Sequence, residues 1–184
     1  MTHRLFTGIA LPPAVCRRLQ AVQAAGTDSG LQWQQPRNLH LTLNFIGSVE
    51  ADHLAALTGA LAAVQCPPFS LQLSGVGFFG PQNKPRILWA GVADSEPLQN
   101  LQQQTLAALQ GAGFRPDDSP YHPHVTLARC KHQPVPAALA WLEAQAGFRS
   151  PDFQIDQFCL FESTRDESGL VYRVVEGFRL PSDR

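Results

Sequence analysis

The tetrapeptide His40-Leu41-Thr42-Leu43 returns as His124-Val125-Thr126-Leu127, at an offset of 84 in a chain of 184 residues. Other stretches keep nearly the same spacing. Leu5-Phe6-Thr7-Gly8-Ile9-Ala10 matches Leu88-Trp89-Ala90-Gly91-Val92-Ala93 at an offset of 83, and Pro13 matches Pro97 at 84. Both prolines stand where a helix would begin, since proline suits the first helical turn. Each half therefore reads strand, helix, His-x-Thr-x strand, helix, strand. Self-similarity at a fixed period decides architecture before any finer reading. The expectation is one bilobal domain over residues 1–184, with duplicated halves near 1–84 and 85–184 that meet about a pseudo-twofold axis.

Alternating apolar residues predict strands over 4–10, 38–46, 69–78, 86–92, 124–129, 153–161 and 170–178. Helical composition predicts helices over 14–25, 50–64, 97–109 and 135–146. Gly47-Ser48 is expected to end the second strand. GPQNKP (80–85) and most of 111–123 read as loop, and ESTRDESG (162–169) as the turn of a closing hairpin.

With 44% hydrophobic and 16% charged residues, the chain can bury a core. Its net charge of −1 excludes a long cationic track for nucleic acid, so an RNA partner would meet a small local site. No apolar run is long enough for a membrane helix, and the N-terminal residues lack the pattern of a signal peptide. Cys16, Cys66, Cys130 and Cys159 are scattered without a CxxC pair, which predicts reduced thiols and a cytoplasmic protein.

Residues two apart on a strand share a face. His40 thus shares a face with Thr42, and His124 with Thr126, while Leu41, Leu43, Val125 and Leu127 point into the core. Bringing the two strands together would line one cleft with two imidazoles and two hydroxyls. Two histidines can serve as an acid–base pair near neutral pH. The hydroxyls can donate to anionic oxygens. This set suits in-line displacement at a phosphodiester, with no metal or cofactor required.

HLTLNFIG at 40–47 and HPHVTLAR at 122–129 resemble the paired HxTx signatures of the 2H phosphoesterase superfamily. RLFTGIALPP, GFFGPQNKPRILWAGV and FESTRDESGLVYRVV are similar to one branch, the RNA 2′,3′-cyclic phosphodiesterases, also called 2′-5′ RNA ligase-like proteins. Ile46 and Tyr121 depart from the leucine and phenylalanine expected at those places. The resemblance implies an α+β fold of two lobes, with antiparallel sheets lining a central cleft and helices outside. It implies hydrolysis of an RNA or oligonucleotide 2′,3′-cyclic phosphate end to a 2′-phosphate, and the protein is expected to be a monomer. By position, His40 would be the proton donor and His124 the acceptor that activates water, a division the near-symmetric sequence leaves open. Thr42 and Thr126 would hold the phosphate oxygens. The same site could instead serve 2′-5′ ligation or a small cyclic nucleotide, and a binding module without turnover is the alternative outside enzymes.

Arg129 is a further candidate for the phosphate, although in an ideal strand its parity sets it opposite His124. His122 shares parity with His124 but precedes a proline and reads as a loop or cleft-rim residue. A metal site at His122, His124 and His132 lacks a nearby acid or thiolate other than Cys130, so none is expected. Trp33, Phe45 and Tyr121 could stack on a base, with core or rim positions as the expectation.

Overall fold

The computed structural model describes residues 2–26, 31–130, 135–167 and 169–181. Its strands are β1 (Thr2–Ala10), β2 (Gln32–Trp33), β3 (His40–Glu50), β4 (Phe69–Leu71), β5 (Leu73–Phe79), β6 (Ile87–Val92), β7 (His124–Arg129), β8 (Phe153–Ile155), β9 (Gln157–Asp166) and β10 (Gly169–Arg179). Its helices are α1 (Pro13–Ala24), α2 (Leu54–Ala62), α3 (Glu96–Gly111) and α4 (Val135–Ala144).

One sheet has the order β10-β9-β1-β3 and a second the order β2-β7-β6-β5, with every pairing antiparallel. Strand β4 pairs with β8 apart from both sheets. The order β9-β1-β3 in one sheet corresponds to β5-β6-β7 in the other. Strand β5 thus leaves the first half of the sequence to pair with β6, and β9 leaves the second half to pair with β1. The two halves interlock by exchanging strands. In the β4–β8 ladder Ser70 faces Gln154, its own counterpart in the repeat.

Apolar side chains on the inner sheet faces meet the helices in one continuous core that includes Leu5, Ile9, Leu41, Leu88, Val125 and Leu127. Helix α1 starts at a proline and buries Val15, Leu19 and Val22. Helix α3 starts under Ser95, whose Oγ accepts from the Leu98 N–H at 3.3 Å, and buries Leu98, Leu101, Thr105 and Leu109 along one stripe. All four cysteines are free thiols, and burial pushes each of them up from its ordinary pKa. Among the described residues no helix is long and apolar enough to cross a membrane.

The structure differs from the pattern reading in several places. Strand β3 does not stop at Gly47-Ser48. Gly47 takes φ +89° at a register shift, and pairing resumes to Thr2↔Glu50. The helix expected from residue 50 therefore begins later, as a 3₁₀ turn at Ala51–His53 followed by α2. The run 69–78 is cut at Gln72 into β4 and β5, which pair in different sheets. Most of ESTRDESG is strand, since the β9–β10 ladder continues to Asp166↔Gly169. The two-residue β2 carries no alternation that a pattern could find.

Candidate active site

The site starts with two β-bulges. Along β3, Thr42 faces Gly8 and Asn44 faces Thr7, which leaves Leu43 as an extra residue. Along β7, Thr126 faces Trp89 and Ala128 faces Leu88, which leaves Leu127 as an extra residue. The bulges occupy equivalent positions of the repeat. A bulge reverses the alternation beyond it, and burial records this: Leu43 and Asn44 are both buried, as are Leu127 and Ala128. Phe45 and Arg129 therefore return to the face of the His-Thr pairs. This resolves the parity problem of Arg129, which an unbulged strand would send into the core.

His40 and His124 open their strands and are held alike. Nδ1 of His40 donates to the Asn38 carbonyl at 2.7 Å, and Nδ1 of His124 donates to the His122 carbonyl at 2.7 Å. A carbonyl can only accept, so the proton of each neutral ring lies on Nδ1 and Nε2 is the nitrogen that titrates. Nε2 of His40 also lies 3.1 Å from Thr42 Oγ1. The Asn38 side chain fixes this corner. It donates to the Leu170 carbonyl at 2.8 Å and accepts from the Tyr172 N–H at 3.2 Å.

Aromatic rings surround both imidazoles. The centroid of His40 is 4.9 Å from Phe6, 5.6 Å from Phe161 and 4.7 Å from Tyr172. His124 is 4.7 Å from Phe79 and 6.4 Å from Trp89. Burial disfavours an imidazolium, and the neighbouring His124 adds to that effect, so the pKa of His40 falls to about 4 although its bond to Asn38 opposes the change. Burial lowers the pKa of His124 as well, with the Nδ1 bond to His122 opposing it and the charge of His122 adding to it. That His124 acts on His40 reflects how β3 and β7, in different sheets, come together across the cleft.

The loop that leads into β7 is tied to β3. The Asp117 N–H donates to the Phe45 carbonyl at 2.9 Å, and Tyr121 Oη donates to the Thr42 carbonyl at 3.3 Å. Tyr121 thereby joins the two motifs, through the hydroxyl that a phenylalanine there would lack. A buried network, Asn44 to Thr105 at 2.7 Å and Gln102 to Asn44 at 2.8 Å, fastens β3 to α3.

Thr42, Phe45, Phe79, Tyr121 and both His122 and His124 line a pocket of about 230 Å³. Of the remaining sequence candidates, His122 is exposed and its ring lies 4.9 Å from that of Trp89. Trp33 packs on Trp141 and donates to the Gly26 carbonyl, so it belongs to the core. His132 lies outside the described residues. The supports Asn38, Phe6, Phe161, Tyr172, Phe79 and Trp89 were not legible as site residues.

A family model described as "2'-5' RNA ligase superfamily" matches residues 11–167. The chain belongs to the 2′-5′ RNA ligase superfamily. An "RNA 2',3'-cyclic phosphodiesterase" of Bacillus subtilis (strain 168) is 30% identical over 169 residues, covering 88% of this chain and 91% of that protein. A protein of the same name from Archaeoglobus fulgidus is 28% identical over 178 residues, covering 95% and 99%. The crystal structure of TT0787 of Thermus thermophilus superposes with a TM-score of 0.81 at 26% identity, covering 98% of this chain and 100% of that one. E. coli LigT complexed with 3'-AMP shares the fold with a TM-score of 0.81 at 24% identity, covering 99% and 100%. The fold is thus the bilobal α+β fold of the 2H phosphoesterases, and in this superfamily member the two motifs stand on facing strands of its two lobes.

Proposed function

We propose that this protein hydrolyses RNA 2′,3′-cyclic phosphodiester ends to 2′-phosphomonoesters, acting as a cytoplasmic monomer with two histidines as acid and base. The observation that carries this reading is the matched tethering of the imidazoles. Each Nδ1 is fixed on a carbonyl two residues back, and each Nε2 remains to move a proton. The names of relatives over most of the chain support the substrate class.

Water attacks phosphorus and gives a proton to Nε2 of His124. The bond from phosphorus to O3′ breaks, and O3′ takes a proton from Nε2 of His40. The phosphate stays on O2′, and exchange with solvent resets both rings. Thr42 and Thr126 donate to the non-bridging oxygens, and Arg129 supplies positive charge beside them. The division into donor and acceptor follows the family resemblance. Both proton transfers in this scheme run through side chains of the protein. A pKa of about 4 leaves His40 neutral at pH 7 in the free protein. The anionic diester favours imidazolium, so substrate binding raises the pKa of His40 toward the value its role demands.

The test is to incubate chelator-treated protein with a short RNA ending in a 2′,3′-cyclic phosphate and identify the product. The expected product is a terminal 2′-phosphate. A 3′-phosphate, or bound RNA with no turnover, would contradict the proposal.

A further inference from the structure

The side chain of His122 has no part in the reaction proposed above. The residue is exposed, yet its ring packs closely: its centroid lies 5.3 Å from that of Phe79, 4.9 Å from Trp89 and 6.2 Å from His124. The His122 carbonyl holds Nδ1 of His124. Neither nitrogen of its own ring has a hydrogen-bond partner among the described residues. Two cavities meet at this ring. One is the 230 Å³ pocket that includes Thr42 and His124. The other, of about 380 Å³, opens where β6 runs on toward α3, and Ser74, Trp89, Asp94 and Gln99 stand around it. His122 is the only described residue that borders both.

The first cavity takes the reacting end, because Thr42 and His124 stand in it. In an RNA the terminal ribose continues through its 5′ oxygen and a phosphodiester to another nucleoside. The second cavity suits that nucleoside and not a phosphate. Asp94 sets a carboxylate in it, which repels an anion and accepts from the N–H groups of a base. The Gln99 amide, now 3.4 Å from Asp94, can pair with a base edge, and the Trp89 indole supplies an apolar surface. On the divide, an imidazole N–H can donate to a phosphate oxygen. We propose that the cavity beside Trp89 receives the nucleoside preceding the terminal one, and that His122 donates to the phosphodiester joining the two. This rests on the hydrolytic reading above and extends it, since such a site makes an oligonucleotide end a better substrate than a single cyclic nucleotide.

The experiment compares three substrates that share one reacting end: cytidine 2′,3′-cyclic phosphate, the same nucleotide joined through a 5′ phosphodiester to an abasic ribose, and the same joined to adenosine. In wild type, adding the phosphodiester should lower KM roughly tenfold, as a hydrogen bond to a charged group can. Adding the base should lower it roughly tenfold again, within the range of base–aromatic contacts. His122→Ala should bring the first ratio to near one, and His122→Gln, which keeps an N–H donor, should restore part of it. Ala93→Leu, which narrows the second cavity, should shrink the second ratio. Equal KM values for all three substrates in wild type overturn the proposal. So does a first ratio that survives His122→Ala, or a second that survives Ala93→Leu, whatever the overall loss in rate. If wild type turns over none of the three, the hydrolytic reading falls, and titration with the corresponding 2′-phosphates still decides about this site. Tighter binding of the adenosine-bearing 2′-phosphate than of cytidine 2′-phosphate, reduced in His122→Ala, supports it. Equal binding of the two overturns it.

Discussion

His40 and His124 occupy matching places, yet different side chains surround them. Beneath His40, Phe6 on β1 faces Phe161 on β9, their rings stacked at 5.0 Å. Near His124, Trp89 on β6 faces Gly77 on β5. A Cβ on Gly77 would overlap the Trp89 indole, so the larger ring fits only because its partner has no side chain. One lobe fills the space with two phenylalanines, the other with a tryptophan and a glycine. Tyr172 adds a third ring against His40, whereas the neighbour of His124 is a second imidazole, that of His122. One backbone frame therefore gives two histidines distinct surroundings, as the proposed division into an acid and a base would use.

The largest expected effect breaks both lobes in turn. His40→Ala and His124→Ala should each slow turnover by roughly 10²–10⁴, the span of a general acid or base. Steady-state rates on folded variants check this, and a variant near wild-type rate would remove its histidine from the mechanism. Thr42→Val and Thr126→Val should each cost up to about 10²-fold in kcat, at the lower edge of the range for an oxyanion donor. Because Thr42 also contacts His40, its variant should in addition shift the pH dependence, which the Thr126 variant should leave in place.

Gly77→Ala tests the size exchange itself. Overpacking against Trp89 should cost about 1–3 kcal/mol of stability. It should also lower activity, because Trp89 and Phe79 form the wall beside His124. Thermal melts and rates on the same sample check both. A neutral result would mean that the wall has room to move. The smallest effect is expected for Tyr121→Phe, which removes the bond from Oη to the Thr42 carbonyl. A loss of about 0.5–1.5 kcal/mol is expected, read as a lower melting temperature. A drop in kcat of a few-fold should accompany it, as the first motif loosens against the second.

Much of this was written in the sequence. The internal repeat, the sharing of a face by His40 with Thr42 and by His124 with Thr126, and the inward leucines follow from periodicity alone. The bulges were not legible, because Leu43-Asn44 and Leu127-Ala128 depart from strict alternation in ways that tertiary packing decides. Asn44 reads as an outward polar residue and is buried because Thr105 and Gln102 satisfy it. The exchange of β5 and β9 between sheets was also hidden, since alternation says that a strand exists and not which edge it joins. Phe161 and Tyr172 come from the C-terminal hairpin, far along the chain from His40, and only that exchange brings them to it.

The central claim, that the two histidines act as an acid–base pair, is tested most directly by the pH dependence of kcat/KM in wild type and both alanine variants. Both pKa values are lowered in the free protein, so the wild-type bell should centre below 6.5, the ordinary value for histidine. The bell for kcat should lie at higher pH, since the bound anion stabilises imidazolium. Loss of the donor should remove the alkaline limb in His40→Ala, and loss of the acceptor should remove the acid limb in His124→Ala. A wild-type profile flat from about pH 5 to 9, or variants that keep both limbs, would contradict the account.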